Sequence, residues 1–207
     1  MPTRRIPVLA LASILALAGC VASPEATTEP AAQPGITQPP STAGADPAAR
    51  DEVLATLGVQ GMSVEEAIEH LDQSDQARPQ SYRGSVTGTQ LILATSETNT
   101  TSLPMPEDRF YLSIAPYETR THDCFNHSLA TCQGELVEQP VRVTITGEDG
   151  TVLVDEEATT YSNGFVAFWL PRHIGATVEV TADGKTGSTS IRTDDDSPTC
   201  LTTVQLF

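Results

Sequence analysis

Turn signals interrupt the second half of this chain so often that a long helix is excluded there. Asp149-Gly150 and Asp183-Gly184 are typical of hairpins, and Asn163-Gly164 marks a further turn. Between the turns lie short β-branched runs, and in residues 141–146 every second residue is apolar, as in a half-buried strand. This pattern predicts an antiparallel β-sandwich. The predicted strands are 135–146, 152–159, 164–170, 177–181, 188–193 and 201–207.

The region before residue 120 has a different pattern, in which helices come first. A helix is predicted at 51–57, where the next residue, a glycine, ends it. A second helix is predicted to begin with a capping box, in which Ser63 is the N-cap and Glu66 reaches back to it. Strand-like runs follow at 85–95 and 109–114. The fold class is therefore α+β.

The first residues have the features of a lipoprotein signal peptide at 1–19. Two arginines precede an apolar run at 6–18, which is shorter than the roughly 20 residues that a membrane helix needs. Leu17-Ala18-Gly19-Cys20 has the pattern of a lipobox. We expect cleavage before Cys20 and lipidation of its thiol, with an ordinary secreted protein as the alternative.

Residues 20–49 carry the lipidated cysteine and are then rich in proline, alanine and threonine. Such a stretch has too little to bury to offset its ordering entropy, so it predicts a disordered tether. The folded part after it divides by pattern into an α+β subdomain at 50–120 and a cysteine-containing β-sandwich at 121–207. The predicted location is the outer face of the cytoplasmic membrane, with a periplasmic or secreted protein as the alternative.

Charge excludes one class of partner. The net charge is −16, and cleavage before Cys20 would remove two arginines and no acidic residue, which lowers it to −18. A chain this acidic does not attract nucleic acid or anionic lipid heads electrostatically.

Three cysteines remain once Cys20 is assigned to the anchor. Cys124 and Cys132 flank His127, and Cys200 lies near the end of the chain. Exported proteins normally close their thiols into pairs, so an odd set favours a soft metal ion or redox chemistry. The spacing does not match the paired CxxC or CxxH patterns of structural zinc sites.

A shared metal site makes a demand on the backbone between Cys124 and Cys132. In a continuous helix the two would be about 12 Å apart along the axis, whereas thiolates on one ion lie within about 4 Å. The chain must therefore turn back, and Cys200 must arrive from a distant strand. Such a thiolate set favours Cu(I), with zinc as a surrogate. His127 and His122 are candidate ligands or supporting residues, and imidazole also suits Cu(II).

Two alternatives belong to other classes of protein. A Cys124–Cys132 disulfide would contribute about 2–3 kcal/mol and leave Cys200 free, as in a structural or adhesive surface domain. The other alternative is a thiol-dependent redox enzyme, either a metal reductase or a thiol–disulfide oxidoreductase. The absence of a CxxC motif argues against the standard form of a thiol–disulfide oxidoreductase. Catalysis is not predicted, apart from a copper reduction at the expense of the thiols.

Four segments resemble the CueP family, exported copper-binding proteins of bacterial copper resistance. They are HDCFNHSLATCQGEL, NGFVAFWLPR, PTCLTTVQL and LGVQGMSVEEAIEHLD, and the likeness covers roughly residues 50–207. The resemblance implies a two-part fold, with copper held at Cys124, Cys132 and Cys200. It also implies copper sequestration and, in some members, delivery to an exported copper/zinc superoxide dismutase. The lipid anchor and long tether depart from family members that are soluble in the periplasm.

Overall fold

The computed structural model describes residues 47–207, which form two helices and eleven strands. The predicted signal peptide, Cys20 and residues 20–46 of the predicted tether lie outside the described residues. The elements are α1 (Pro47–Thr56), α2 (Val64–Asp72), β1 (Arg83–Val86), β2 (Gln90–Ala94), β3 (Thr100–Pro104), β4 (Arg109–Ile114), β5 (His127–Ser128), β6 (Pro140–Gly147), β7 (Val152–Thr159), β8 (Val166–Pro171), β9 (Gly175–Ala182), β10 (Lys185–Arg192) and β11 (Cys200–Leu201).

Both predicted helices are present. α1 begins at Pro47, within the stretch that the sequence places in the tether, and it is followed by Gly58, whose φ of +71° suits a glycine that ends a helix. The capping box of α2 is confirmed. The Glu66 N–H donates to Ser63 Oγ at 3.2 Å, and the Ser63 N–H donates to Glu66 Oε2 at 2.8 Å.

The strands form three sheets, with the orders β3-β2-β1-β5, β10-β9-β6-β7 and β11-β4-β8. The run predicted as one strand at 85–95 is instead the hairpin of β1 and β2, because the Thr87 side chain bonds to both backbone groups of Gln90 and closes a turn. The predicted strand at 201–207 is shorter than expected. β11 holds only two residues, parallel to β4, and a single bridge joins Gln205 to Tyr117 farther along.

The sandwich core lies between the β10-β9-β6-β7 sheet and one face of the β11-β4-β8 sheet. Alternate residues of β4, namely Phe110, Leu112 and Ile114, point into this core and are almost fully buried. The strands opposite contribute the apolar residues of the alternating pattern, including Val143 and Val178. Burial of this face is the main stabilising contribution that the sandwich receives.

The opposite face of the β11-β4-β8 sheet packs on a second core. Tyr111 of β4 and Trp169 of β8 lie there, against the helices and the β3-β2-β1-β5 sheet. Strand pairing joins the parts before and after residue 120, the predicted boundary. β4 comes before it and pairs with β8 and β11, which come after it. β5 comes after it and pairs with β1, which comes before it. The division into subdomains at 120 stays a prediction.

Two of the predicted turns are present, and the second of them bears on the site. Asp183-Gly184 forms a two-residue hairpin loop with φ of 48° and 77°, as the primed turns require. Gly164 has a φ of 79°, and a Cβ there would lie 2.8 Å from the backbone of Gly134. The Gly134 N–H donates to Asn163 O at 2.7 Å, so this turn holds the chain that leaves Cys132.

The predicted fold class is confirmed: α+β, with the helices first and β-sandwich sheets after them. Within residues 47–207, neither helix has the length and apolar composition required to cross a membrane.

Candidate metal centre

The segment between β4 and β6 turns back on itself, as a shared site requires. β5 pairs with β1, and directly after it the Cys132 N–H donates to Ser128 O at 3.1 Å, which closes one turn. Leu129 and Ala130 within that turn are fully buried in the second core and hold it down. As a result the Sγ atoms of Cys124 and Cys132 lie 3.5 Å apart.

Cys200 reaches the same place through β11. Its strand lies parallel to the central strand β4, with Cys200 opposite Ser113. The N–H groups of Thr199 and Cys200 both donate to Phe125 O, at 3.0 and 3.2 Å. These bonds tie the C-terminal thiol to the residue that follows Cys124.

Four side chains converge on one centre. One ligand atom from each of His122, Cys124, Cys132 and Cys200 lies within 4.8 Å of the other three. All three thiols are free. Cys132 and Cys200 are buried against the fully buried ring of Phe165, and Cys124 is partly exposed. The structure therefore places four groups that could hold a metal ion around one largely buried point.

The three thiols differ in acidity. Hydrogen bonds from Cys124 and Cys200 outweigh burial and lower the pKa of Cys132 far below that of an ordinary thiol. The Ser128 N–H adds a further donor at 3.3 Å from its sulfur. The hydrogen bond to Cys132 raises the pKa of Cys124 to about 12, and hydrogen bonds to both neighbours raise the pKa of Cys200. Of the three thiols, Cys132 is therefore the one whose surroundings favour the thiolate.

His122 has an unsatisfied ring nitrogen. Its Nε2 atom is buried and has no hydrogen-bond partner among the described residues. Its ring meets Phe165 edge-on, with centroids 6.3 Å apart. A buried nitrogen without a partner is costly unless something binds it. This observation fits a metal ligand, because an ion would supply the missing partner.

His127 has a different environment, although it lies between the two cysteines. It is fully buried, with Nε2 2.8 Å from Asp72 Oδ1 and Nδ1 3.8 Å from Cys200 Sγ. Burial opposes its charge, but the Asp72 carboxylate raises the pKa of His127 to about 9. Both ring nitrogens thus carry protons at neutral pH, and His127 is outside the converging set of four.

Asp72 is the centre of a buried polar group that we call the Asp72 network, made of Asp72, Arg78, Tyr111, His127 and Asn163. The Tyr111 hydroxyl donates to Oδ2 at 2.7 Å, and Asn163 Nδ2 donates to Oδ1 at 2.8 Å. Arg78 lies 3.6 Å from Oδ1 and donates to Asp72 O at 3.0 Å. Burial acts to raise the pKa of Asp72, but His127, Tyr111 and Arg78 together lower it.

The sequence-based prediction did not include the Asp72 network. One signal for it was present, because Asp72 follows Ile68 by four residues on the apolar face of α2. A charged residue on such a face is buried only with partners. Tyr111 and Asn163 left no comparable signal, since one lies on an ordinary strand and the other in a turn.

Comparison with known proteins identifies the family of the chain. The family model described as "Periplasmic copper-binding protein CueP" matches residues 66–205. The crystal structure of S.CueP is similar at 46% sequence identity with a TM-score of 0.74, and the match covers 80% of this chain and 100% of that one. No curated protein matches the chain. The resemblance drawn from the four motifs is thus confirmed, and the chain belongs to the CueP family of periplasmic copper-binding proteins.

Proposed function

We propose that this protein sequesters Cu(I) through the thiolates of Cys124, Cys132 and Cys200, with His122 as an additional ligand. The observation that carries the proposal is the convergence of these four groups within 4.8 Å. The 3.5 Å between two of the sulfurs already suits metal–sulfur bonds of about 2.3 Å to one ion. Soft sulfur ligands in a poorly hydrated site favour Cu(I), and zinc can occupy the same ligands as a surrogate.

His127 serves in this proposal as a supporting residue. A histidine protonated on both nitrogens cannot bind a metal without losing a proton, and Asp72 stabilises the protonated ring. Its Nδ1 faces Cys200 Sγ at 3.8 Å, where it orients that sulfur. The positive ring also offsets part of the charge that three thiolates would bring to a buried place.

The physiological role that follows is copper resistance and homeostasis outside the cytoplasm. Sequestration by thiolates keeps Cu(I) from reacting elsewhere, and release of the ion to an exported cuproenzyme, such as a superoxide dismutase, would make the same site a copper donor. Membership in a family of copper-binding proteins supports the sequestration of copper.

The direct test is an anaerobic titration of the reduced protein with Cu(I) against a competing chelator. We expect one tightly bound ion, and large losses of affinity in Cys124→Ser, Cys132→Ser and Cys200→Ser. Met62→Leu is the matched control, since it removes a partly exposed soft sulfur outside the converging set. Unchanged affinity in the three serine variants would remove the assignment.

We further propose that the protein is lipid-anchored through Cys20 at the outer face of the cytoplasmic membrane. The lipobox at 17–20 and the proline-rich stretch behind it support this location. Mass spectrometry of the mature N-terminus should find a diacylated cysteine, and Cys20→Ala should release the protein from membranes. An unmodified N-terminus on membrane-free protein would place it in the periplasm or the medium instead.

The distance between Cys124 and Cys132 also supports a second candidate function, thiol-dependent reduction of Cu(II). Two Cu(II) ions would each take one electron, while Cys124 and Cys132 lose any proton that they carry to water and their sulfurs join in a disulfide. The low pKa of Cys132 favours the thiolate that this step needs. Counting free thiols by mass spectrometry after addition of Cu(II), with and without a reductant, tests the step and shows whether it turns over.

A further inference from the structure

The converging residues border two openings. An open groove of about 560 Å³, which we call the cysteine groove, includes Cys124, Cys200, Ile191 and Thr203 in its lining. A separate cavity of about 360 Å³, the His122 cavity, is lined in part by His122, Arg120 and Gln133. Two of the three sulfurs therefore border the groove, and the imidazole borders the cavity.

The thiol nearest to solvent belongs to the groove. Cys124 is partly exposed, whereas Cys132 and Cys200 are 6% and 3% exposed. Phe125, the next residue, is 56% exposed. A ligand that approaches through the groove therefore meets Cys124 before it meets the other two sulfurs.

The groove is also negatively charged. Glu148 and Asp196 are exposed in its lining, and Asp194 lies beside them. Arg192 also lines the groove; it forms an ion pair with Asp194 at 2.6 Å, and this contact, together with the nearby charge of Glu148, raises the pKa of Arg192. In the lining of the groove the three carboxylates of Glu148, Asp194 and Asp196 outnumber this one guanidinium, so a net negative charge is left to attract a positive partner.

We propose that Cu(I) enters and leaves the centre through the cysteine groove, by exchange with a partner protein that presents sulfur ligands on a cationic segment. This inference rests on the proposed function and adds to it the route and the chemistry of the partner. In the release direction, a thiol of the partner loses its proton to water and its sulfur forms a bond to copper while the bond from copper to Cys124 breaks. The Cys124 thiolate then takes up one proton through the water of the groove, so no net proton is gained or lost. Copper stays Cu(I), so no electron is transferred.

The experiment follows copper transfer in stopped flow, from the loaded, reduced protein to synthetic peptides that carry two cysteines. One peptide has lysines around the cysteines and the other has glutamates at the same positions. We expect the lysine peptide to take copper about tenfold faster at low ionic strength, and salt to remove most of the difference. In the double variant Glu148→Lys, Asp196→Lys, the glutamate peptide should instead take copper faster than the lysine peptide.

Two tryptophan variants test the route. Thr203→Trp narrows the cysteine groove and should slow transfer to both peptides, while Gln133→Trp narrows the His122 cavity and should leave the rates unchanged. Ser190→Trp, an exposed and uncharged position in the same lining, serves the same purpose should Thr203→Trp fail to fold. Equal rates for both peptides, or slowing by Gln133→Trp but not by the groove variants, would overturn the inference. Failure of the unmutated protein to hold Cu(I) would instead overturn the proposed function.

Discussion

The Asp72 network and the four converging candidate ligands are neighbours, joined where His127 approaches Cys200, but the groups at their centres differ in hydrogen bonding. In the network both carboxylate oxygens of Asp72 have donors within 2.8 Å, although Nε and Nη1 of Arg78 have no partner among the described residues. In the candidate ligand set the buried Nε2 of His122 has no partner, and Cys124 and Cys132 are hydrogen-bonded to each other at 3.5 Å. The anion at the centre of the network therefore has its donors without any ligand, whereas His122 would gain its missing partner from a bound ion.

The largest effect should come from breaking the network. In Asp72→Ala the protonated His127, Tyr111 and Arg78 lose a buried partner, and we expect the free energy of unfolding to fall by about 3–5 kcal/mol. Urea unfolding of the metal-free protein measures the change. Asp75→Ala, an exposed acid just beyond α2, is the control and should change little. A similar stability for both variants would show that the network is dispensable.

Cys132→Ser, in contrast to Asp72→Ala, should affect Cu(I) affinity far more than stability. The serine oxygen can accept the Ser128 N–H in place of sulfur, so the metal-free protein should keep nearly all its stability. Its Cu(I) affinity should fall by at least about 100-fold, or about 2.8 kcal/mol, because the sulfur that carries the thiolate is gone. Paired unfolding and titration measurements check both parts, and a large loss of stability would mean that the cysteines are structural.

The two histidines of the segment between β4 and β6 should differ in their effects on stability and on Cu(I) affinity. His122→Gln should lower Cu(I) affinity about tenfold and leave the stability of the metal-free protein unchanged, because the Nε2 atom it removes has no partner. His127→Gln should destabilise the metal-free protein, because it removes the cation beside Asp72. Equal effects of the two substitutions on stability would contradict the assignment of His122 as a ligand and His127 as a structural partner of Asp72.

The smallest effect concerns the loop that leads to His122. The carboxylate of Glu135 accepts bonds from the Thr119 hydroxyl and from the N–H groups of Thr119, Glu118 and Arg120, which lower its pKa to about 2. Its contribution to loop stability is present above the ordinary value of 4.5 and is lost as the pH falls toward 2.

Amide exchange at Thr119 should therefore accelerate over that acid range. Glu135→Gln should accelerate it already at neutral pH and lower Cu(I) affinity only about twofold, with Glu138→Gln as the control. Exchange at Thr119 that is independent of both pH and the substitution would show that Glu135 does not hold the loop.

Much of the architecture could be predicted from local pattern. The capping box at Ser63, the turns at Asp183-Gly184 and Asn163-Gly164 and the alternating residues of β6 all depend on interactions within a few residues. The predicted strands at 85–95 and 201–207 differ from the structure, because local pattern did not decide where those strands end. The run at 85–95 contains a turn stabilised by Thr87, although threonine also suits a strand. β11 pairs with β4 over two residues only, and its partner strand could not be known from local pattern.

The amino-acid sequence by itself determined that three thiols and two histidines are available, that the chain between Cys124 and Cys132 must turn back, and that the motifs are those of the CueP family. Only the tertiary structure decided which histidine joins the sulfurs. His127 lies between Cys124 and Cys132 in the sequence, but Asp72, on a helix 55 residues earlier, holds its ring. His122 converges with the three sulfurs instead, and its Nε2 atom is buried without a partner among the described residues. Partners of a buried polar group come from distant strands and helices, and spacing along the chain carries no record of them.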